Sequence, residues 1–198
     1  VSFFLTNTDP VQKITIVPRG RAGGYVMSLP EDRAVHSREF FDDQIAMALG
    51  GRAAEEHFFG RVTTGAAADL QQATRLARAM VMEYGMSDRL GLPTYGGGSA
   101  NPFVGREMGF FGSGRDYSEE AAQTIDAEVK RFLEENYNRA RTIIEQNHDR
   151  MVHLATTLID VETLDRAAFE KLMNEPQASN GTAPAVQPAP APQPVEVA

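Results

Sequence analysis

The chain of 198 residues contains no cysteine, which removes disulfides, thiolate metal sites and cysteine nucleophiles and suits a reducing compartment. No stretch approaches the roughly 18 consecutive apolar residues of a membrane-spanning helix. Histidine is scarce: His36, His57, His148 and His153 are the only four. No two of them are spaced three or four apart, so no helix presents two imidazoles on one face to a zinc ion. All four therefore read as surface or interface residues, with His148 and His153 pointing in different directions. The Gly-x-Ser-x-Gly pattern of a serine nucleophile is missing. Basic residues are in deficit, with a formal net charge of -8 and an isoelectric point near 5.0, which argues against a dedicated nucleic-acid surface.

What is present divides into two regions, a folded domain over residues 1–174 and a tail over 175–198. With 42% hydrophobic residues the first part can bury a core. The apolar start Val1-Ser2-Phe3-Phe4-Leu5 reads as the last turn of a helix that begins before Val1, stopped by Asn7, Asp9 and Pro10. Alternation over Lys13–Val17 predicts a strand, and Tyr25–Leu29 a second, joined by a long turn-rich loop as a hairpin. Such a hairpin either covers a core or offers an edge that accepts an extended peptide through its backbone.

From Ser37 the period becomes helical. Ser37 is the expected N-cap, Phe41, Ile45, Ala48 and Leu49 share a face, and Gly60 is the expected stop. Gly50 and Gly51 inside this helix suggest that another backbone passes close by. Thr63 or Thr64 caps the next helix, through Leu70, Thr74, Ala77 and Val81 to about Tyr84, before Gly85. Residues 91–117 hold eight of the seventeen glycines and read as a long loop. That loop lacks the Gly-Lys-Ser/Thr ending of a phosphate-binding loop. Ser118 opens the longest helix, with a stripe of Ala122, Ile125, Val129, Phe132, Tyr137, Ala140 and Ile144. A break follows near Asn147, then a helix from Met151 to Ile159 and a last one capped by Asp165. The tail, with six of the eleven prolines, reads as extended and disordered. The expected fold class is mainly α-helical with a small β-hairpin.

The chemical question centres on Asp69, an acidic residue in the first turn of a helix. It either caps its own helix, with Gln72 three residues on, or ligates a metal whose other partners lie elsewhere. Several motifs bear on the choice. Residues Val11-Gln12-Lys13-Ile14-Thr15-Ile16-Val17-Pro18-Arg19-Gly20-Arg21-Ala22-Gly23-Gly24-Tyr25 resemble the start of the peptidase hairpin of the FtsH family, membrane-anchored AAA+ ATP-dependent zinc metalloproteases. Gly50-Gly51-Arg52-Ala53-Ala54-Glu55-Glu56, Thr64-Gly65-Ala66 with Asp69-Leu70, and Tyr84-Gly85-Met86-Ser87 are similar to further family motifs in the same order. Tyr137-Asn138-Arg139-Ala140 and Glu162-Thr163-Leu164 extend the match to about Leu172.

The resemblance implies a zinc site built from a His-Glu-x-x-His helix just before Val1, with Asp69 as third ligand. It implies that Glu55 hydrogen-bonds a zinc-bound histidine and orients its ring, the bland alternative being a solvated helix end with an Arg52–Glu56 pair. It further implies that Tyr25, Val26 and Met27 hold the substrate backbone. ATP and magnesium would belong to an upstream module absent from these residues. The parent would be a homo-hexamer acting on unfolded or membrane proteins. It would be anchored in a bacterial-type inner membrane with this domain on the cytoplasmic side. The family pattern has Asn before the aspartate, where this chain has Ala68. On this reading the chain alone lacks two ligands and the general base and neither cleaves protein nor binds zinc tightly. The competing reading is a non-catalytic helical assembly module, a pseudoprotease.

Overall fold

The computed structural model describes residues 1–20, 23–30, 35–95 and 117–175. In chain order these form a single 3-10 turn at Ser2–Phe4, strands β1 (Val11–Thr15) and β2 (Tyr25–Ser28), and helix α1 (Arg38–Phe59). A 3-10 turn at Thr64–Ala66 then leads into α2 (Ala67–Met82). After the undescribed stretch come α3 (Glu119–Gln146), α4 (His148–Val161), β3 (Thr163–Asp165) and α5 (Arg166–Asn174). The fold is mainly α-helical with a small sheet, as the periodicity predicts. Most of the 91–117 loop and all but the first residue of the 175–198 tail lie outside the described residues.

The caps follow local chemistry. Ser37 Oγ accepts from the Phe40 amide at 3.4 Å, Ser118 Oγ from Ala121 at 3.1 Å, and Asp165 Oδ1 from Ala168 at 2.8 Å. Each satisfies a backbone donor that the first turn leaves without a partner. Gly60 closes α1 in the left-handed region at φ 60°, where a side chain would be strained.

Helices α1, α2 and α3 meet around Ile45, Leu49, Ala73, Ala77, Met80, Val81, Ile125, Val129 and Phe132. Burial of side chains such as Ile45 and Phe132 contributes about 1.5–3 kcal/mol each. Of the residues expected along α2, Ala77 and Val81 are buried, whereas Leu70 and Thr74 are not. Ala73, Ala77 and Met80 face the core, and Leu70 stays 39% exposed. The two alanines let α2 approach its neighbours closely, so volume rather than hydrophobicity selects the face.

The N-terminal hairpin gains a third strand that the sequence reading did not anticipate. The sheet order is β2-β1-β3, with Ile14 opposite both Val26 and Leu164, each pairing antiparallel. Three residues are too short to show a period. The ladder runs over Val11–Thr15 instead of Lys13–Val17, and Ile16 and Val17 stay exposed. Thr15, only 4% exposed, shares a hydrogen bond of 2.8 Å with Thr163 Oγ1 and donates to Glu162 O, which fastens β1 to the C-terminal strand. At Gly24 an added Cβ would lie 2.6 Å from Thr15 O, so the hairpin closes only on glycine.

The segment after Val1 packs on α1. A Cβ on Gly50 would lie 2.9 Å from Val1 Cγ2, whereas Gly51 has nothing within 4 Å. The close neighbour of the glycine pair is therefore a side chain, at one position only. Deeper in, buried Asp43 Oδ2 accepts from the Asn7 amide at 2.9 Å and from Asn7 Nδ2 at 3.0 Å. Arg139 Nη1 stands 2.6 Å from Oδ1, an ion contact outside the angles of a hydrogen bond. This cluster joins the N-terminal segment, α1 and α3.

Candidate metal-ligating turn

Asp69 sits in the first turn of α2 and is exposed. It does not cap that helix. The N-cap position is Ala66, with no side-chain cap hydrogen bond, and among the described residues Asp69 makes no hydrogen bond or ion pair. Its carboxylate stands at the positive end of the helix dipole, where an anion is favoured without being neutralised.

The turn in front of Asp69 is held from α1. Thr63, at the N-cap of the 3-10 turn, donates its amide to Glu55 Oε2 at 2.9 Å and its hydroxyl to Glu55 Oε1 at 2.8 Å. The same hydroxyl oxygen accepts from the Gly65 amide at 3.1 Å. The Thr63 amide and hydroxyl, followed by the Arg52 charge, hold the Glu55 carboxyl below its ordinary value. Glu55 thus grips the turn that leads to Asp69, a contact between residues eight apart that no helical period reveals.

Its neighbour Glu56 is also engaged. The Tyr137 hydroxyl of α3 donates to the Glu56 carboxylate, and burial together with that carboxylate pushes the Tyr137 phenol up. Tyr137 thus engages Glu56, and among the described residues no ion pair forms between Arg52 and Glu56, the alternative offered by their spacing.

His36 and His153 are exposed, while His57 and His148 meet between two helices. His57 Nε2 and His148 Nδ1 are 2.9 Å apart, and the Phe58 ring stacks on His148 with centroids 5.0 Å apart. Ring centroids of the two imidazoles are 5.2 Å apart, so the facing nitrogens point at each other as in an N–H···N hydrogen bond. They lock the end of α1 to the start of α4. His36 stacks on Phe40 at 4.1 Å.

Among the described residues no group of three or more His, Asp or Glu side chains is placed to hold a metal ion. As a zinc ligand Asp69 fits in one respect: it is an exposed carboxylate, unpaired among the described residues, on a braced turn. It supplies one ligand, and the described residues add no second.

Strand β2 occupies one edge of the sheet. Tyr25 is half-buried, while Val26 and Met27 are 59% and 49% exposed. No hydrogen bond or ion pair joins these three to Asp69 or Glu55 among the described residues. No described helix is long and apolar enough to cross a membrane.

Comparison with known proteins bears on these features. The model of "Peptidase family M41" matches residues 1–172. The chain is 47% identical over 175 residues to ATP-dependent zinc metalloprotease FtsH 1 of Thermoanaerobacter sp. (strain X514), covering 88% of this chain and 28% of that protein. It is 44% identical over 173 residues to FtsH 2 of Alkaliphilus metalliredigens (strain QYMF), covering 87% and 25% respectively. FtsH of Bacillus subtilis (strain 168) is 44% identical over 178 residues, covering 88% and 27%. The chain therefore spans about a quarter of the length of the curated relatives it matches. A match that runs from the segment packed on Gly50, through the turn bearing Asp69, to α5 places the chain in peptidase family M41.

Proposed function

We propose that this chain is the C-terminal part of the peptidase unit of an ATP-dependent zinc metalloendopeptidase that degrades unfolded or membrane proteins. The observation that carries the reading is Asp69: an exposed carboxylate, free of its own helix, in a chain matched to family M41 over residues 1–172. Asp69 contributes one zinc ligand, and the remaining ligands and the general base come from outside these residues. Zinc, when bound, supplies Lewis acidity toward the scissile carbonyl. The edge of β2 at Tyr25, Val26 and Met27 receives the substrate backbone in extended form, since a peptide there completes the row of backbone donors and acceptors. ATP and magnesium act on a separate module. The parent assembles as a homo-hexamer anchored in the membrane, with this domain on the cytoplasmic side. The isolated chain is inactive.

The test is Asp69→Ala in the full-length protein. Proteolysis should be abolished while ATP hydrolysis persists; undiminished proteolysis would remove Asp69 from the metal site. A second reading is a non-catalytic assembly module. Reading the codons upstream of Val1 separates the two, since an intact His-Glu-x-x-His belongs only to the enzyme.

A further inference from the structure

Among the described residues Asp69 has no side-chain partner, so its position is set by the backbone that leads to it. That backbone is continuous and short. From Thr63, in extended conformation at φ -119° and ψ 175°, the chain enters the 3-10 turn and passes directly into α2, with the Ala67 amide bonded to Thr64 O. No residue between Thr63 and Asp69 has positive φ. The direction of the first turn of α2 therefore follows from how its start is pinned.

Two points pin it. Ala66 is buried at 4% exposure, which anchors the inner side of the turn. The outer side is held through Thr63, whose amide and hydroxyl both donate to Glu55 and whose oxygen receives the Gly65 amide. Glu55 lies two residues after Ala53, which is fully buried, so the carboxylate is mounted on a part of α1 that is packed into the core. Gly65 fits the same arrangement. An added Cβ there would lie 3.2 Å from Thr63 Oγ1 and 3.5 Å from Glu55 Oε1, crowding the contact. Ala68 offers no polar group to the turn.

We propose that Thr63 is a positioning residue. By closing on Glu55 and receiving Gly65, it fixes the first turn of α2 and the place from which Asp69 presents its carboxylate. The role of the Glu55 carboxylate is accordingly to hold the turn bearing the aspartate. This inference rests on the reading of Asp69 as a metal ligand. The relay itself stands on geometry in this chain alone.

The experiment has two arms. In the chain of 198 residues, amide hydrogen exchange is followed in Thr63→Val, which keeps the shape and removes the hydroxyl, and in Thr63→Ser, which keeps the hydroxyl. Exchange at Gly65 and in the first turn of α2 should rise at least about fivefold in Thr63→Val, which removes both the hydroxyl bond to Glu55 and the acceptor of the Gly65 amide. It should return to the parent rate in Thr63→Ser, with the core amides of α1 and α3 unchanged in both. Equal protection in Thr63→Val and the parent overturns the relay.

In the full-length protease, zinc affinity is measured by competition with a chelator. Thr63→Val should weaken zinc roughly 10- to 100-fold, the range for groups that orient a ligand, and Thr63→Ser should restore it. If Asp69→Ala weakens zinc and Thr63→Val does not, the positioning role is overturned and the ligand reading stands. If Asp69→Ala leaves zinc affinity unchanged, the ligand reading fails and takes the positioning role with it.

Discussion

Glu128 and Asp69 are carboxylates on neighbouring helices in opposite circumstances. Glu128, on α3, is fully buried and has every acceptor in use. Arg131 Nε donates to its Oε1 at 3.0 Å and Arg131 Nη2 to its Oε2 at 2.8 Å. Ser87 Oγ donates to Oε2 at 2.7 Å, and Arg89 Nη1 lies 3.8 Å from Oε1. Asp69 is exposed and partnerless among the described residues. A buried charge persists only when paired and hydrogen-bonded, so Glu128 is committed to holding the Tyr84–Ser87 segment against α3. The open carboxylate is the one available to an incoming ligand. The difference separates a charge engaged in holding two elements together from one that is open to solvent.

The comparison can be broken most severely at Glu128. Glu128→Ala should cost about 3–5 kcal/mol, because removal of one member of a buried pair leaves the others uncompensated. Urea denaturation monitored by circular dichroism measures it, and a loss below 1 kcal/mol would mean that Glu128 is not the keystone of that cluster.

Ser87→Ala, which removes one donor to the same carboxylate, should cost about 1–3 kcal/mol by the same measurement. A change of midpoint no larger than at an exposed serine would contradict the 2.7 Å bond to a buried charge.

Acid should reveal the same cluster. The Arg131 hydrogen bonds hold the Glu128 carboxyl below its ordinary value of 4.5, with Ser87 and the Arg131 and Arg89 charges acting in the same direction. A carboxyl depressed in the folded state contributes stability above its unfolded value and loses it as pH falls through the folded one. Stability should therefore decline below about pH 4.5 more steeply in the parent than in Glu128→Gln. Parallel pH profiles would show that another group governs the acid limb.

At the other extreme, Asp69→Ala should alter stability by no more than about 0.5 kcal/mol, as for a surface position without a structural role. A loss above 1 kcal/mol would assign Asp69 to the helix after all.

Much of the helical layer was legible because its signals are local. Ser37, Ser118 and Asp165 each cap where expected, since a side-chain oxygen reaches an amide three residues on within one turn. Asp69 was legible as a residue of interest, but cap and ligand look alike in a sequence, because both place a carboxylate in a first helical turn. The third strand escaped notice because its pairing partner is some 150 residues away and three residues carry no period. The His57–His148 contact and the Glu55–Thr63 grip escaped for related reasons. The first joins separate helices, and the second bridges a turn whose path no periodic rule predicts.

By itself the sequence determined where α1, α3 and α5 begin, the apolar stripe of α3, and which motifs match family M41. Those properties depend on residues within a turn or two of one another. Only the tertiary structure decided that, among the described residues, Glu55, Glu56, Asp43 and Glu128 are engaged while Asp69 is open. Glu55, Glu56, Asp43 and Glu128 are claimed by Thr63, Tyr137, Asn7 and Arg131, partners brought to them by packing or by the course of a turn. Asp69 is left unclaimed because the first turn of α2 rests on Ala66 and Thr63 instead.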